Sequence, residues 1–130
     1  KGEVKKLKDK IYSNDELLKL DPETLLKHIS STYSVEIPFS IDSSEISKKA
    51  SEEMAKASAY YAFLSPLKLQ ANILKRMLKN QKAEKELIDD MLVRENIFES
   101  QMVVMKQSYD TISRLFTIRY KEQEELKLMG

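Results

Sequence analysis

Few residues of this chain have side chains that could support catalysis or bind a metal. The 130 residues include no cysteine and a single histidine, His28. The lack of Cys excludes disulfides, thiolate metal ligands and a cysteine nucleophile. No residue near His28 stands at the spacing of a second metal ligand, so we interpret it as an ordinary histidine on a helix surface. We therefore expect no metal and no other cofactor.

The acidic residues are numerous, but they are not arranged as catalytic pairs. Asp89 with Asp90, and Glu95 with Glu99, lie in helical sequence where carboxylates are usually solvated, and no His or Cys stands near them. The two glycines of the chain are near its ends, so no interior glycine can form a phosphate-cradling loop. We predict that the protein is not an enzyme.

The basic residues carry the clearest functional signal. The net charge is only +1, but residues 68–85 hold six basic residues against one acidic, and residues 86–99 hold five acidic against one basic. The six cations are Lys68, Lys75, Arg76, Lys79, Lys82 and Lys85. Near-helical spacing of several of them indicates a strip that contacts phosphates. The same distribution also complements helix dipoles where one helix ends and the next begins, so both interpretations stay open.

An apolar stripe predicts the long helix that carries this strip, over residues 43–80. It steps by four and three residues through Ile46, Ala50, Glu53, Ala57, Tyr60, Leu64, Leu67, Ala71, Leu74 and Leu78. Such heptad spacing is typical of a helix that packs along a partner helix, and only Glu53 is out of character. Asp42 and Glu45 resemble a capping box at the helix start. Pro66 predicts a kink or two collinear pieces that keep facing the same partner.

A second stripe predicts the partner helix. After a polar corner at residues 80–83, residues 84–95 predict a short helix, and a further helix follows. Its stripe is Phe98, Met102, Met105, Tyr109, Ile112, Phe116, Arg119, Gln123 and Leu126. We expect an all-α fold in which the two stripes form an antiparallel helical hairpin. We assign the seam to Leu64, Leu67, Leu74, Leu78, Met102, Met105, Ile112 and Phe116.

The first 34 residues predict a basic helical extension. Residues 1–10 carry a net charge of +3, Ser13 with Glu16 resembles a helix cap, and Asp21 before Pro22 predicts a short helix to about residue 31. We divide the chain into this extension, residues 1–34, and a hairpin domain, residues 35–130.

An extended segment is predicted between the extension and the long helix. Residues 33–41 alternate apolar and polar side chains, and Pro38 restricts them to an edge or an unpaired strand. We expect this segment either to pack along the helices or to pair with another subunit. Together with the two matched stripes, this apolar segment without a partner of its own predicts a homo-oligomer. No apolar run approaches the roughly 20 residues of a membrane span, so we expect no membrane partner. The absence of Cys fits a reducing compartment, and we expect a cytoplasmic location.

Three stretches give the chain a resemblance to a known family. They are residues 41–46 (IDSSEI) at the start of the long helix, residues 57–61 (ASAYY) leading to Lys75 and Arg76, and residues 109–114 (YDTISR) with Phe116, Ile118 and Arg119. In this order and spacing the chain resembles the phage recombination mediator proteins of the UvsY type, over residues 35–130. It departs from them by having no Gly-containing loop after the long helix and a longer segment before Val35.

The resemblance implies a small helical protein that forms a closed ring and has no catalytic residues. It implies binding to single-stranded DNA and help in loading a RecA-like recombinase onto strands covered by single-strand-binding protein. The positions that match the DNA-binding part of the family are Lys75, Arg76, Lys79 and Lys82. Tyr60 and Tyr61 have two alternative roles, the stacking of bases and core packing, of which core packing is the more common for such residues.

A structural role is the alternative. In that case the protein is a coiled-coil component of virion assembly or a small-terminase-like ring, and its charges only solvate it and set helix register. Single-strand binding at two salt concentrations discriminates between the two.

Overall fold

The computed structural model describes residues 12–38 and 45–129, and all the regular structure in these ranges is helical. Four helices follow one another: α1 (Asn14–Lys19), α2 (Pro22–Thr32), α3 (Ile46–Asn80) and α4 (Lys85–Met129). At 1.5 Å per residue, α3 is roughly 52 Å long and α4 roughly 68 Å. A long helix packed against another long helix therefore dominates the fold, and the all-α prediction is confirmed.

The two short helices begin where the sequence predicts. Ser13 Oγ accepts the N–H of Glu16 at 3.2 Å, and the Glu16 carboxylate accepts the N–H of Ser13 at 3.4 Å, which completes a capping box. Asp21 Oδ2 accepts the N–H of Thr24 at 3.0 Å, with Pro22 in the first turn of α2. Because these side chains satisfy otherwise unpaired N–H groups, each short helix is fixed locally at its start.

Helix α3 is continuous through Pro66. Leu64 and Leu67, on either side of the proline, are both buried, so the predicted stripe keeps its face across this position. The predicted Asp42 cap lies outside the described residues. Glu45 occupies the N-cap position and makes no side-chain capping bond there.

Lys82 closes α3 in a left-handed conformation, with φ of 55°. The N–H of Lys82 donates to the carbonyl of Lys79, and the N–H of Ala83 donates to the carbonyl of Leu78 at 3.0 Å. This bonding pattern is a Schellman motif, in which glycine usually takes the left-handed position. The predicted polar corner is thus a helix termination built without glycine.

The division of the second half of the chain into two helices is wrong, because α4 runs unbroken over 45 residues. Met91, Glu95, Phe98, Met102 and Met105 continue one stripe in steps of four and three. Of these, Glu95, Phe98, Met102 and Met105 are buried and Met91 packs against the core. No glycine or proline interrupts the sequence between them, so nothing breaks the helix. The stripe loses its burial toward the end, where Leu126 is exposed.

Helices α1 and α2 lie against the long pair and share its core. Leu17, Leu18, Leu25 and Ile29 belong to the same buried cluster as Phe98 of α4. Two side chains of α4 also hold backbone of this region: Arg94 Nε donates to the carbonyl of Leu20 at 2.9 Å, and Gln101 donates to the carbonyl of Tyr33. Residues 12–34 are therefore part of one packed unit with the long helices.

The segment predicted to be extended is described only as far as Pro38. Residues 33–38 are not helical and pair with no strand in the described part of the chain. Tyr33 and Val35 pack against the core, and the N–H of Glu36 donates to the carboxylate of Glu53 on α3 at 3.0 Å. Of the two predicted placements, packing along the helices is the one that these residues show.

Candidate nucleic-acid interface

The six predicted DNA-binding cations divide into two groups. Lys68 and Lys75 face α4: Lys68 Nζ lies 3.3 Å from Glu99 Oε1, and Lys75 Nζ lies 2.9 Å from Glu95 Oε1. These pairs lie between α3 and α4, and the later residue of α3 meets the earlier residue of α4, so the two helices run in opposite directions here. Both lysines have a role in joining the helices.

The other four cations form a cluster at the α3–α4 connection, which we call the tip cluster. It consists of Arg76, Lys79, Lys82 and Lys85. All four side chains are exposed, and none forms an ion pair with another described residue. They are therefore available to an anionic ligand. Glu86, Asp89 and Asp90, at the start of α4, are exposed as well, so the tip presents both signs of charge.

The charges at the tip also complement the dipoles of α3 and α4. Lys79 lies in the last turn of α3, and Glu86 lies in the first turn of α4. Each is placed at the end of the helix dipole that favours its charge, worth roughly 0.3–1 kcal/mol at low ionic strength. This role is compatible with phosphate binding, because exposed side chains can serve both.

Glu95 is not a solvated surface carboxylate, as the sequence was interpreted, but is 7% exposed. Its Oε2 accepts a hydrogen bond from Asn72 Nδ2 at 2.6 Å, and its Oε1 accepts from Lys75. Desolvation raises the pKa of Glu95, but the hydrogen bonds from Lys75 and Asn72 outweigh it and hold the pKa below its ordinary value. The carboxylate is therefore ionised, and each of its two oxygens accepts a hydrogen bond from a side chain of α3.

Glu53 holds a second buried charge cluster. Its side chain is 1% exposed and receives the ammonium groups of Lys56 at 3.0 Å and Lys49 at 3.3 Å, besides the N–H of Glu36. Desolvation raises the pKa of Glu53, but these hydrogen bonds together place it below the ordinary value. The residue that breaks the apolar stripe thus ties residues 33–38 to α3.

The predicted seam residues are all shielded from solvent, wholly or in part, within a single chain. Five of them are buried: Leu64, Leu67, Met102, Met105 and Ile112. The other three are half-buried: Leu74, Leu78 and Phe116. Leu64, Leu67, Met102 and Met105 belong to the buried core cluster, and Leu74 packs against it.

An apolar stripe that the sequence interpretation missed lies on the outer face of α3. Leu69, Ile73 and Met77 are 60%, 42% and 48% exposed, one turn apart from each other. Their spacing of four residues is the signal that could have identified them, since it places them on one face away from the buried stripe.

His28 is not an ordinary surface histidine, because it is half-buried between two aromatic rings. Its ring lies edge-on to Tyr12, with centroids 4.8 Å apart, and edge-on to Tyr33 at 6.3 Å. Burial lowers the pKa of His28.

Tyr60 is half-buried and meets Tyr33 edge-on, whereas Tyr61 is 41% exposed. Of the two tyrosines considered for stacking, Tyr60 is a core residue and Tyr61 is accessible.

Among the described residues no three His, Asp or Glu side chains converge as a metal-binding group. None of the helices in these ranges combines the length and apolarity needed to cross a membrane.

Comparison with known proteins found no matching family, no matching curated protein and no matching solved structure.

Proposed function

We propose that the protein is a non-enzymatic recombination mediator that binds single-stranded DNA through the tip cluster. In this role it assists the loading of a RecA-like recombinase onto strands covered by single-strand-binding protein in the cytoplasm. The observation that carries the proposal is the exposure of Arg76, Lys79, Lys82 and Lys85 without ion-pair partners in the described chain. The mediator role rests on the resemblance of residues 35–130 to the UvsY type.

The chemistry of the tip cluster favours contacts to phosphates and not to bases. Lysine is a point charge on a flexible stem, which suits a ligand whose backbone geometry varies. Such contacts are independent of sequence and weaken strongly with salt. Binding without sequence preference is what a protein needs if it acts on any single strand exposed during recombination.

The proposed assembly is a homo-oligomeric ring built from the antiparallel α3–α4 hairpin. The exposed stripe of Leu69, Ile73 and Met77 supports it, because three large apolar side chains in one exposed row are typical of a contact surface. A second copy covers this stripe in the proposal.

DNA binding is tested with fluorescently labelled oligo-dT and fluorescence anisotropy. The test variant carries Arg76→Ala, Lys79→Ala and Lys82→Gly. A matched control carries Lys48→Ala, Lys121→Ala and Lys127→Ala, which removes the same charge from exposed positions near the other end of the helix pair. The proposal predicts weaker binding by the tip variant and near-parent binding by the control. Equal weakening in both variants would indicate only nonspecific attraction.

Loading is tested by the rate at which a RecA-like recombinase forms filaments on strands covered by single-strand-binding protein. The parent is expected to accelerate assembly and the tip variant to fail. A parent that forms rings but binds no DNA supports the alternative of a structural coiled-coil protein for virion assembly. The observation that favours this alternative is that Lys79 and Glu86 also complement the dipoles of α3 and α4.

A further inference from the structure

A groove between α3 and α4 lies outside the tip cluster. It encloses about 300 Å³ and is lined by Ala57, Ser58, Tyr61, Met105, Lys106 and Tyr109. This volume is at the lower end of the roughly 300–1,000 Å³ of ligand pockets, and it is large enough for one planar ring. Tyr61 and Tyr109 are 41% and 40% exposed, so both rings are accessible from solvent.

The polar groups of the groove are unengaged. Lys106 is exposed and forms no ion pair with another described residue, and the hydroxyls of Tyr61 and Tyr109 make no hydrogen bond within the described chain. Two aromatic rings beside a free cation provide a surface on which a base can stack while its phosphate meets the lysine.

The groove and the tip cluster lie along the same flank of α3. Positions 58, 61, 65, 68, 72, 76 and 79 follow one another in steps of three or four residues, so their side chains share that flank. Tyr61 and Lys79 are 18 residues apart, which is roughly 27 Å along the helix. Single-strand sites on OB folds cover roughly 4–16 nucleotides, and a strand of intermediate length in that range spans this distance.

The middle of this flank does not repel a nucleic acid. The two carboxylates that face it, Glu95 and Glu99, are paired with Lys75 and Lys68. Each of these two carboxylates is therefore matched by a cation of α3 and presents no uncompensated charge between the tip cluster and the groove.

We infer that the groove between Tyr61 and Tyr109 is a stacking site for bases of the same single strand whose phosphates contact the tip cluster. This inference rests on the proposed function and adds a second, aromatic contact to it. The ligand class is an unpaired nucleobase, since a base held in a duplex has no free face to offer.

The test removes the aromatic ring from the protein and the bases from the ligand, each alone and both together. Parent, Tyr61→Leu and Tyr61→Phe are titrated with oligo-dT and with an abasic oligonucleotide of equal length and charge at fixed salt. Leu keeps an apolar side chain but removes the aromatic face, and Phe keeps the face. Tyr109→Leu repeats the comparison from α4. Circular dichroism verifies folding, which these exposed positions should not disturb.

The inference predicts that Tyr61→Leu binds oligo-dT roughly tenfold more weakly than parent, with Tyr61→Phe close to parent. With the abasic strand, parent and Tyr61→Leu should bind with equal affinity. If parent binds both strands equally well and Tyr61→Leu matches it, the stacking site is wrong while phosphate binding at the tip stands. If parent binds neither strand, the proposed function fails as well. If Tyr61→Leu instead lowers the mass in sedimentation, a second copy occupies the groove and the inference is overturned.

Discussion

Lys75 Nζ lies 2.9 Å from Glu95 Oε1, and both side chains are largely shielded from water between α3 and α4, at 14% and 10% exposure. Asn72 donates to the other oxygen of the same carboxylate. A lysine that the sequence places in a phosphate-binding strip is therefore an internal ion-pair partner. The distinction matters because a buried charge without its partner is costly, whereas an exposed one is not.

Replacement of Lys75 by Ala should destabilise the fold by about 3 kcal/mol, since it leaves the Glu95 carboxylate desolvated and without its cation. Lys79→Ala, one turn away and exposed, should change stability by no more than about 0.5 kcal/mol. Urea unfolding followed by circular dichroism measures both. Similar losses in the two variants would show that the Lys75–Glu95 pair contributes no more than a surface charge.

Acid should destabilise the protein through its two buried carboxylates. The pKa of Glu53 and that of Glu95 are below the ordinary value of 4.5 in the folded chain. The ionised carboxylates therefore stabilise the folded state fully above pH 4.5. This contribution is lost as the pH falls through the lowered pKa values that the two groups have in the folded chain. Unfolding free energies measured from pH 7 to pH 3 should decline less steeply in Glu53→Gln than in parent. The exposed Glu52→Gln should follow the parent curve, and a parallel decline in all three proteins would contradict this assignment.

Local signals account for the elements that the sequence predicts well. The Ser13–Glu16 box and the Asp21–Pro22 start depend on residues within one turn, and the stripe of α3 repeats over many turns. The two-helix division of residues 84–129 was wrong because the polar residues Glu95 and Asn96 separate two apolar groups. Glu95 in fact continues the stripe of Phe98 and Met102 at the correct spacing, and its contacts with Lys75 and Asn72 across the helix pair explain a buried carboxylate there.

Lys82→Gly should raise stability. Lys82 holds φ at 55°, a conformation in which a side chain is disfavoured and glycine is not. Relief of this cost is worth up to about 1 kcal/mol, so the thermal midpoint should increase by a few degrees. Lys82→Ala keeps the Cβ and should give no such gain. If the Gly and Ala variants unfold at the same temperature, the left-handed turn does not limit stability.

Ile73→Asp should lower the oligomeric mass in analytical ultracentrifugation without loss of helicity, because Ile73 is 42% exposed on the outer stripe of α3. Leu67→Asp is the contrasting variant. Leu67 is 1% exposed within one subunit, so a carboxylate there should unfold the chain and not only dissociate it. A compact monomer for the parent at micromolar concentration would overturn the proposed ring. An unchanged mass for Ile73→Asp would exclude this stripe as the contact.

The candidate site follows from the sequence only in part. Charge counting finds the tip cluster, but it cannot separate Lys75 and Lys68 from Arg76 and Lys79, because all four lie on the polar part of α3. The separation depends on the position of Glu95 and Glu99 on a second helix. The groove was hidden for the same reason: Tyr61 and Lys106 are 45 residues apart in the chain and meet only across the α3–α4 contact.

The salt dependence of single-strand binding tests the central claim most directly. Each phosphate contact contributes roughly 0.7 to the slope of log K against log salt for single strands. With Arg76, Lys79 and Lys82 replaced, the slope should therefore fall by about 2, while the control variant at Lys48, Lys121 and Lys127 should keep the parent slope. An unchanged slope in the tip variant, or no binding by the parent at low salt, would contradict the proposal that the tip cluster binds single-stranded DNA.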